Sequence, residues 1–387
     1  MTERQPRIAL FQIITALLWF SIYAYVPNLS AYAEDMGASL SIIGLITGSY
    51  GFVQMALRIP LGILSDSIRR RRIFVTIGFG FSLAGALVLF LAPSPGLLVV
   101  GRGLAGAAAA TWVVATVLYS SYFDPARSTR AMAVLNTFNN GGQVVAMLLG
   151  SWAVARFGPR AMFLVAAAGA ALGLFLTFGA TESLPNKPPM RPRDFFAVAK
   201  DRPLIIISVM ALLLQVNTMS TISGFTPLLA KGMGAGSMEL GVLSMITTAM
   251  AAVGCLSSGT TLVAKVGERR YLALSALGLA LFTALMPLAR SLPALYALQG
   301  IAGFSQGVLF SLLMGLAIRH IEVERRASAM GLFQAVYGIG MFLGPVLVGW
   351  LSDAFGLSWG ILAVGVISLG ILPLTVLLGR AWRRLGI

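Results

Sequence analysis

Residues 127–158 read RSTRAMAVLNTFNNGGQVVAMLLGSWAVARFG, and residues 325–356 read RRASAMGLFQAVYGIGMFLGPVLVGWLSDAFG. Arg127, Ala131, Met132, Gly142, Trp152, Phe157 and Gly158 of the first stretch recur as Arg325, Ala329, Met330, Gly340, Trp350, Phe355 and Gly356 of the second, each pair 198 positions apart. Two further matches sit at 197: Met36-Gly37-Ala38 with Met233-Gly234-Ala235, and Gly103, Ala105 and Gly106 with Gly300, Ala302 and Gly303. A period of half the chain means a duplicated unit. Each quoted stretch is also apolar for long enough to cross a ~30 Å hydrocarbon layer, which takes roughly 20 residues of helix.

Beyond these stretches the composition is equally apolar: the 387 residues are 58% hydrophobic and only 11% charged, with a mean hydropathy of +0.87. Soluble chains carry about 25% charged residues, so most of this one must face lipid or a core embedded in lipid. A cytosolic enzyme and a disordered scaffold are thereby excluded. Six apolar spans come first: Ile8 to Tyr32, Leu40 to Ser65, Ile73 to Ala92, Gly96 to Phe123, Met132 to Ala155 and Ala161 to Thr181. Six more follow: Leu204 to Leu229, Met238 to Val263, Tyr271 to Ala289, Ala294 to Ile318, Ala329 to Leu351 and Trp359 to Leu378. Helix is required, because a segment in lipid must satisfy its own backbone and barrel strands are about half this length. The fold class is an all-α membrane protein of twelve transmembrane helices in two six-helix bundles, residues 1–182 and 203–387. Six is even, so both bundles enter the membrane from the same side, as a parallel repeat. The linker, 183–202, is rich in proline and basic residues, and its end from Asp194 to Lys200 suits a short amphipathic helix on the membrane surface.

The net charge of +15 invites a nucleic-acid reading, but the basic residues fall between apolar spans. With the N-terminus inside, 22 of the 28 Lys and Arg lie on the inner side, four (Arg156, Arg160, Lys231, Arg290) outside, and Arg58 and Arg102 within spans. The charge is topology: a multi-pass protein of the cytoplasmic (inner) membrane with both termini cytoplasmic, and with no nucleic acid as partner. A monomer in contact with membrane lipid is the expected state. Ala31-Tyr32-Ala33 resembles a signal-peptide cleavage pattern, but the apolar run before it is about twice too long, and cleavage would break the repeat. One cysteine, Cys255, and one histidine, His320, exclude a disulfide framework and a multi-histidine or cysteine metal site. No metal and no cofactor are expected. Gly101, Gly103 and Gly106 imitate a dinucleotide fingerprint and Gly303 to Gly307 a nucleophile elbow, yet both lie inside apolar helices, so no enzyme is read here. Asn28-Leu29-Ser30 is a glycosylation sequon only in spelling, since it falls within the first span.

After the second span the chain reads Gly62-Ile63-Leu64-Ser65-Asp66-Ser67-Ile68-Arg69-Arg70-Arg71-Arg72. Here it resembles the major facilitator superfamily, whose loop between helices 2 and 3 carries Gly-x-Leu-x-Asp-x-x-Gly-Arg-Arg. Gly62, Leu64, Asp66, Arg70 and Arg71 fit, while Arg69 replaces the second glycine. The resemblance implies a gate in which Asp66 meets the positive N-terminal end of helix 11, around Ala327 to Met330. Arg102, Gly103 and Gly106 resemble the Arg-x-x-x-Gly segment of helix 4 common in proton-coupled exporters, and the repeat mate of Arg102 is the uncharged Gln299. Helix 11 carries Gly331, Gly340, Gly344, Pro345 and Gly349, similar to the glycine-proline motif that drug exporters place in helix 5. In helix 5 this chain has Asn139, Asn140, Gly141, Gly142 and Gly150, without proline.

The resemblance also implies that helices 1, 4, 7 and 10 line a cavity. These carry Trp19, Tyr23 and Asn28; Arg102, Trp112 and Tyr119; Gln215 and Asn217; and Gln299 and Gln306. On helix 2, Thr47, Gly51, Gln54, Arg58, Gly62 and Ser65 share one face, which turns Arg58 inward, to a solute or to backbone carbonyls. All thirteen acidic residues lie in termini, loops or span ends. A carrier of organic cations would bury a carboxylate, so neutral or anionic amphiphiles are expected. The leading reading is a drug:proton antiporter-like secondary transporter, with a carrier of organic anions or metabolites (symporter, exchanger or uniporter) as the alternative. A sensor or membrane enzyme without transport is remote, because no buried catalytic set exists. If Asp66 gates one state, Asp66→Asn should remove a charge-dipole contact of ~0.3–1 kcal/mol and lower transport while leaving solute affinity unchanged. Affinity and turnover of the purified variant check this; equal losses in both would place Asp66 on the solute instead.

Overall fold

The computed structural model describes residues 4–68, 70–123, 128–181, 199–322 and 325–385. Its helices follow the expected spans: α1 (Arg7–Asp35), α2 (Leu40–Ser65), α3 (Arg71–Leu91), α4 (Pro95–Ser120), α5 (Ser128–Phe157) and α6 (Ala161–Thr177). The second set is α7 (Arg202–Gly232), α8 (Ser237–Ser257), α9 (Glu268–Leu288), α10 (Leu292–Arg319), α11 (Ser328–Phe355) and α12 (Leu357–Ala381). Ten of these are long and apolar enough to cross a membrane. Of the other two, α5 is 30 residues long but carries Asn136, Asn139, Asn140 and Gln143, and α6 is apolar but only 17 residues long. Among the described residues there is no strand. Large apolar side chains stand exposed on the helices, Phe175 at 72% and Leu256 at 74%, as lipid-facing surface requires.

The duplication is visible in the packing. In the first six helices α1 packs on α5 and α6, and α3 on α4 and α6. In the second six the same pairs recur six helices on: α7 on α11 and α12, α9 on α10 and α12. The turns repeat as well. Gly37 and its mate Gly234 have φ of 85° and 89°, and Gly158 and Gly356 have 94° and 95°. A side chain at these turns would strain the backbone, so each helix connection keeps its glycine in both copies.

Two compact units emerge. One contains Met1–Met36, Phe52–Pro189 and Gly236–Val242, the other Gly37–Gly51, Met190–Ala235 and Leu243–Ile387. The boundaries thus differ from a simple division at the linker: the first turns of α2 pack with the second unit and the first turns of α8 with the first. Of the linker, residues 182–198, which include most of the proposed amphipathic segment, lie outside the described residues.

Helices α1 and α7 are interrupted at related places, each just before a proline. Helix stops at Tyr23 and resumes at Val26, with Pro27 in the first turn of the new segment. In α7 the chain widens to a π-turn over Thr221–Phe225 before Pro227. Proline has no N–H and cannot bond the carbonyl four residues back, so both breaks release carbonyls inside the bundle. Polar side chains also tie helices together. Asn28 Nδ2 donates to Ser151 Oγ at 2.8 Å, joining α1 to α5, and Asn217 Nδ2 donates to Thr283 Oγ1 at 3.1 Å and Ser368 Oγ at 2.9 Å, joining α7 to α9 and α12. The sole histidine makes a similar link. His320 Nε2 lies 2.9 Å from Asp201 Oδ1, the carboxylate that caps α7 by accepting from the Leu204 amide.

Glycines set the closest approaches. A Cβ on Gly142 of α5 would run into the carbonyl of Ala16 and lie 2.9 Å from its Cα, and one on its mate Gly340 of α11 would meet the carbonyl of Leu212 and lie 3.2 Å from its Cα. Gly142→Ala and Gly340→Ala should therefore each destabilise their bundle by about 1–3 kcal/mol. Gly141→Ala, with nothing within 4 Å, should be neutral or stabilising. Thermal unfolding of the three variants in nanodiscs checks the contrast.

Candidate functional site

Among the described residues, the most deeply buried charge of the first unit sits where α1 breaks. Arg102 on α4 is 1% exposed. Its Nη1 donates to the Ile22 carbonyl at 3.5 Å, and the guanidinium lies 5.7 Å from the centroid of the Tyr25 ring. Ile22 is in the last turn before the break, where helix carbonyls lack partners within the helix. Carbonyl and aromatic face together offset part of the cost of burying an arginine in an apolar slab. The sequence suggested Arg102 as a cavity charge; the fold turns it onto the interrupted helix. Tyr25, its partner, was not singled out, although a tyrosine two residues before Pro27 was the available signal.

Beside this lies an aromatic cluster. Trp19 stands between Tyr23 (centroids 5.8 Å apart) and Trp112 (5.6 Å, edge to face). Trp19 is buried, but Tyr23 and Trp112 are only half-buried. On the second unit Gln306 is half-buried too, whereas Gln215 and Gln299 are buried. The remaining predicted cavity residues are occupied with structure. Tyr119 is fully buried, accepts from Gln12 Nε2 at 2.8 Å and stacks on Phe11. Asn28 and Asn217 are the interhelical links described above.

The loop motif divides likewise. A Cβ on Gly62 would touch nothing within 4 Å, so this glycine is not a close helix contact. Arg70 is exposed at the start of α3, Arg71 is buried, and Arg72 donates to the Phe178 and Ala180 carbonyls at 3.4 and 3.2 Å, capping the end of α6. The Asp66 and Ala327 side chains lie outside the described residues. Arg58 is half-buried on α2. On α11, Gly340 and Gly344 face α7, against Leu212 and Val216, and serve packing within their bundle. The Pro345 carbonyl instead meets Gly44 of α2. Thr47 of α2 donates at 3.4 Å to the Ser223 carbonyl, which lies four residues before Pro227 and cannot be bonded by it.

The family model of the Major Facilitator Superfamily matches residues 11–264 and 259–384. The chain belongs to the major facilitator superfamily. Among curated relatives, the inner membrane transport protein YajR of Escherichia coli (strain K12) is 28% identical over 214 residues, 54% of this chain. The chain spans 47% of that protein's length. Among solved structures, a bacterial homolog of the human lysosomal transporter Spinster, in an inward-facing and unoccupied conformation, matches with a TM-score of 0.85 at 17% identity, covering 99% of this chain and 98% of that one. The nucleoside transporter NupG matches with a TM-score of 0.77 at 16% identity, covering 96% and 98%. At these identities the structures establish the superfamily fold.

Within that fold the two classes of polar residue should separate by experiment. Asn217→Ala strips two buried hydroxyls of their partner and should cost about 1–3 kcal/mol of stability with solute affinity unchanged. Trp112→Ala removes a half-buried face and should weaken solute binding about tenfold or more with less effect on stability. Thermal unfolding and equilibrium binding on both variants check the division.

Proposed function

We propose that this superfamily member is a secondary active transporter that works by alternating access and exports small neutral or anionic amphiphilic organic molecules, driven by a proton gradient. The observation that carries the solute class is the half-buried pair Tyr23 and Trp112 around Trp19, on helices whose only interior charge is Arg102. Aromatic faces hold the apolar part of an amphiphile. None of the thirteen acidic residues lies in the interior of a span, so a cationic solute would find no counter-charge. Superfamily membership and the relative called an inner membrane transport protein support a place in that membrane. The closure of Arg102 against Ile22 and Tyr25 favours a role in coupling through the α1 break over direct pairing with a solute.

The second reading is a carrier of organic anions or metabolites. Arg58 favours it, being a half-buried cation on α2, and the likeness to a nucleoside transporter is compatible with it.

Reconstituted protein decides between them. Export that requires an imposed pH gradient supports the first reading, anion exchange without a gradient supports the second, and absence of any flux across a broad solute panel rejects both. In the first case Arg102→Gln should leave affinity within about threefold while gradient-driven flux is lost. In the second, Arg58→Gln or Arg102→Gln should cost ~2–5 kcal/mol of anion binding, the scale for truncating one partner of a buried charged pair.

A further inference from the structure

Helix α2 begins with backbone N–H groups that have no partner of their own in the helix. Three of them are provided for. Ser39 Oγ accepts from the Ile42 amide at 3.3 Å. The other two are taken by one residue 312 and 313 positions away: Asp353, in the last turn of α11, accepts from the Leu40 amide through Oδ1 and from the Ser41 amide through Oδ2, both at 2.9 Å. A carboxylate spread across the first turn of a helix makes two charge-assisted hydrogen bonds and meets the positive end of the helix dipole.

Below this cap the two helices are shaped to close on each other. Gly349, one turn before Asp353, would place a Cβ 2.5 Å from the Leu40 carbonyl oxygen and 3.0 Å from the Ser41 Cα. A Cβ on Gly44 would run into the Pro345 carbonyl, one on Gly48 would lie 2.8 Å from the Phe342 carbonyl oxygen, and one on Gly51 would lie 2.6 Å from the Met341 Cβ. The seam is tight and built on glycine, and the aspartate stands at its end.

The repeat supplies an internal control. Gly241, the mate of Gly44 at 197, rests against Met147 and Ser151 of α5, the mates of Pro345 and Gly349 at 198. At the position matching Asp353 stands Ala155. The α5 side of the equivalent seam thus carries no carboxylate at this position, and the acidic residue at that end is Glu239, in the first turn of α8 itself.

We propose that Asp353 is a charge latch that holds the first turns of α2 on α11 in one state of the transport cycle and lets them go in the other. Its meaning for transport rests on the transporter reading above. By the distribution of basic residues it lies on the outer side, at the end of α2 opposite Asp66, so the same pair of helices carries one aspartate for each end.

The test uses full-length protein in nanodiscs, with Cys255→Ser removing the native thiol and Thr47→Cys as reporter, a position 1% exposed in this state. Into this background go Asp353→Asn and Asp353→Ala. Labelling of residue 47 by a charged, membrane-impermeant thiosulfonate, and hydrogen exchange of a peptide covering residues 38–45, should both speed up by roughly threefold to tenfold, within the range of a charge-dipole contact at a helix end. Peptides from α9 should exchange as before, which identifies folded variants. High salt should accelerate labelling of the Asp353 protein and leave the Asn variant unchanged, because only a charged latch is screened. Labelling and exchange unchanged in both variants, or equal salt response in all three proteins, would overturn the latch. A faster rate in these assays together with no solute flux in liposomes would support the latch and reject the transporter reading, so the two failures are distinct.

Discussion

A carbonyl without a partner inside an apolar slab costs several kcal/mol, and the breaks that precede Pro27 in α1 and Pro227 in α7 create such carbonyls in both halves of the protein. The answers to that constraint shape the interior. Ile22 is met by Arg102, the most deeply buried charge among the described residues, and Ser223 by Thr47 of α2. Each break thereby becomes a joint at which one carbonyl is bonded from a different helix. A joint of this kind can change angle without exposing backbone to lipid, provided that its partner moves with it.

The rest of the architecture follows from how helices associate where lipid is as apolar as their side chains. Close approach of small residues and a few interhelical hydrogen bonds replace the hydrophobic effect. Gly142 and Gly340 bring α5 and α11 onto α1 and α7 in the two bundles, while Asn28 and Asn217 tie the same two broken helices to their neighbours. Duplication then gives two bundles with one packing scheme, and divergence writes function into the differences. Arg102 corresponds to Gln299 in the repeat, and Asp353 to Ala155. At each pair of positions one copy carries a charge and the other does not.

These asymmetries connect structure to mechanism. On the proposed reading the protein binds a solute, changes shape and couples that change to a gradient, and distinct residues are proposed for each step. The half-buried Tyr23 and Trp112 are the proposed solute contacts, the glycine seam between Gly44 to Gly51 and Met341 to Gly349 the proposed closing surface, and Arg102 sits on the α1 joint.

Span number, helix class and the repeat were legible in the sequence because each depends on local arithmetic: the thickness of a bilayer divided by the rise of a helix, and the identity of residues 197 or 198 apart. The superfamily was legible from Gly62 to Arg72, a contiguous stretch. The polar residues were a different matter. Helical spacing puts Trp19, Tyr23 and Asn28 on helix 1, but Asn28 is consumed by Ser151, 123 residues away, and Tyr119 by Gln12, 107 away. Gly340 and Gly344 read as part of a glycine-proline motif and their contacts are with α7, while Asp353, unremarkable at the end of an apolar run, is the cap of α2. A sequence determines which residues share a helix face. Only the tertiary structure decides which neighbour that face meets, because the partner's backbone amides and carbonyls carry no side-chain signature to be read.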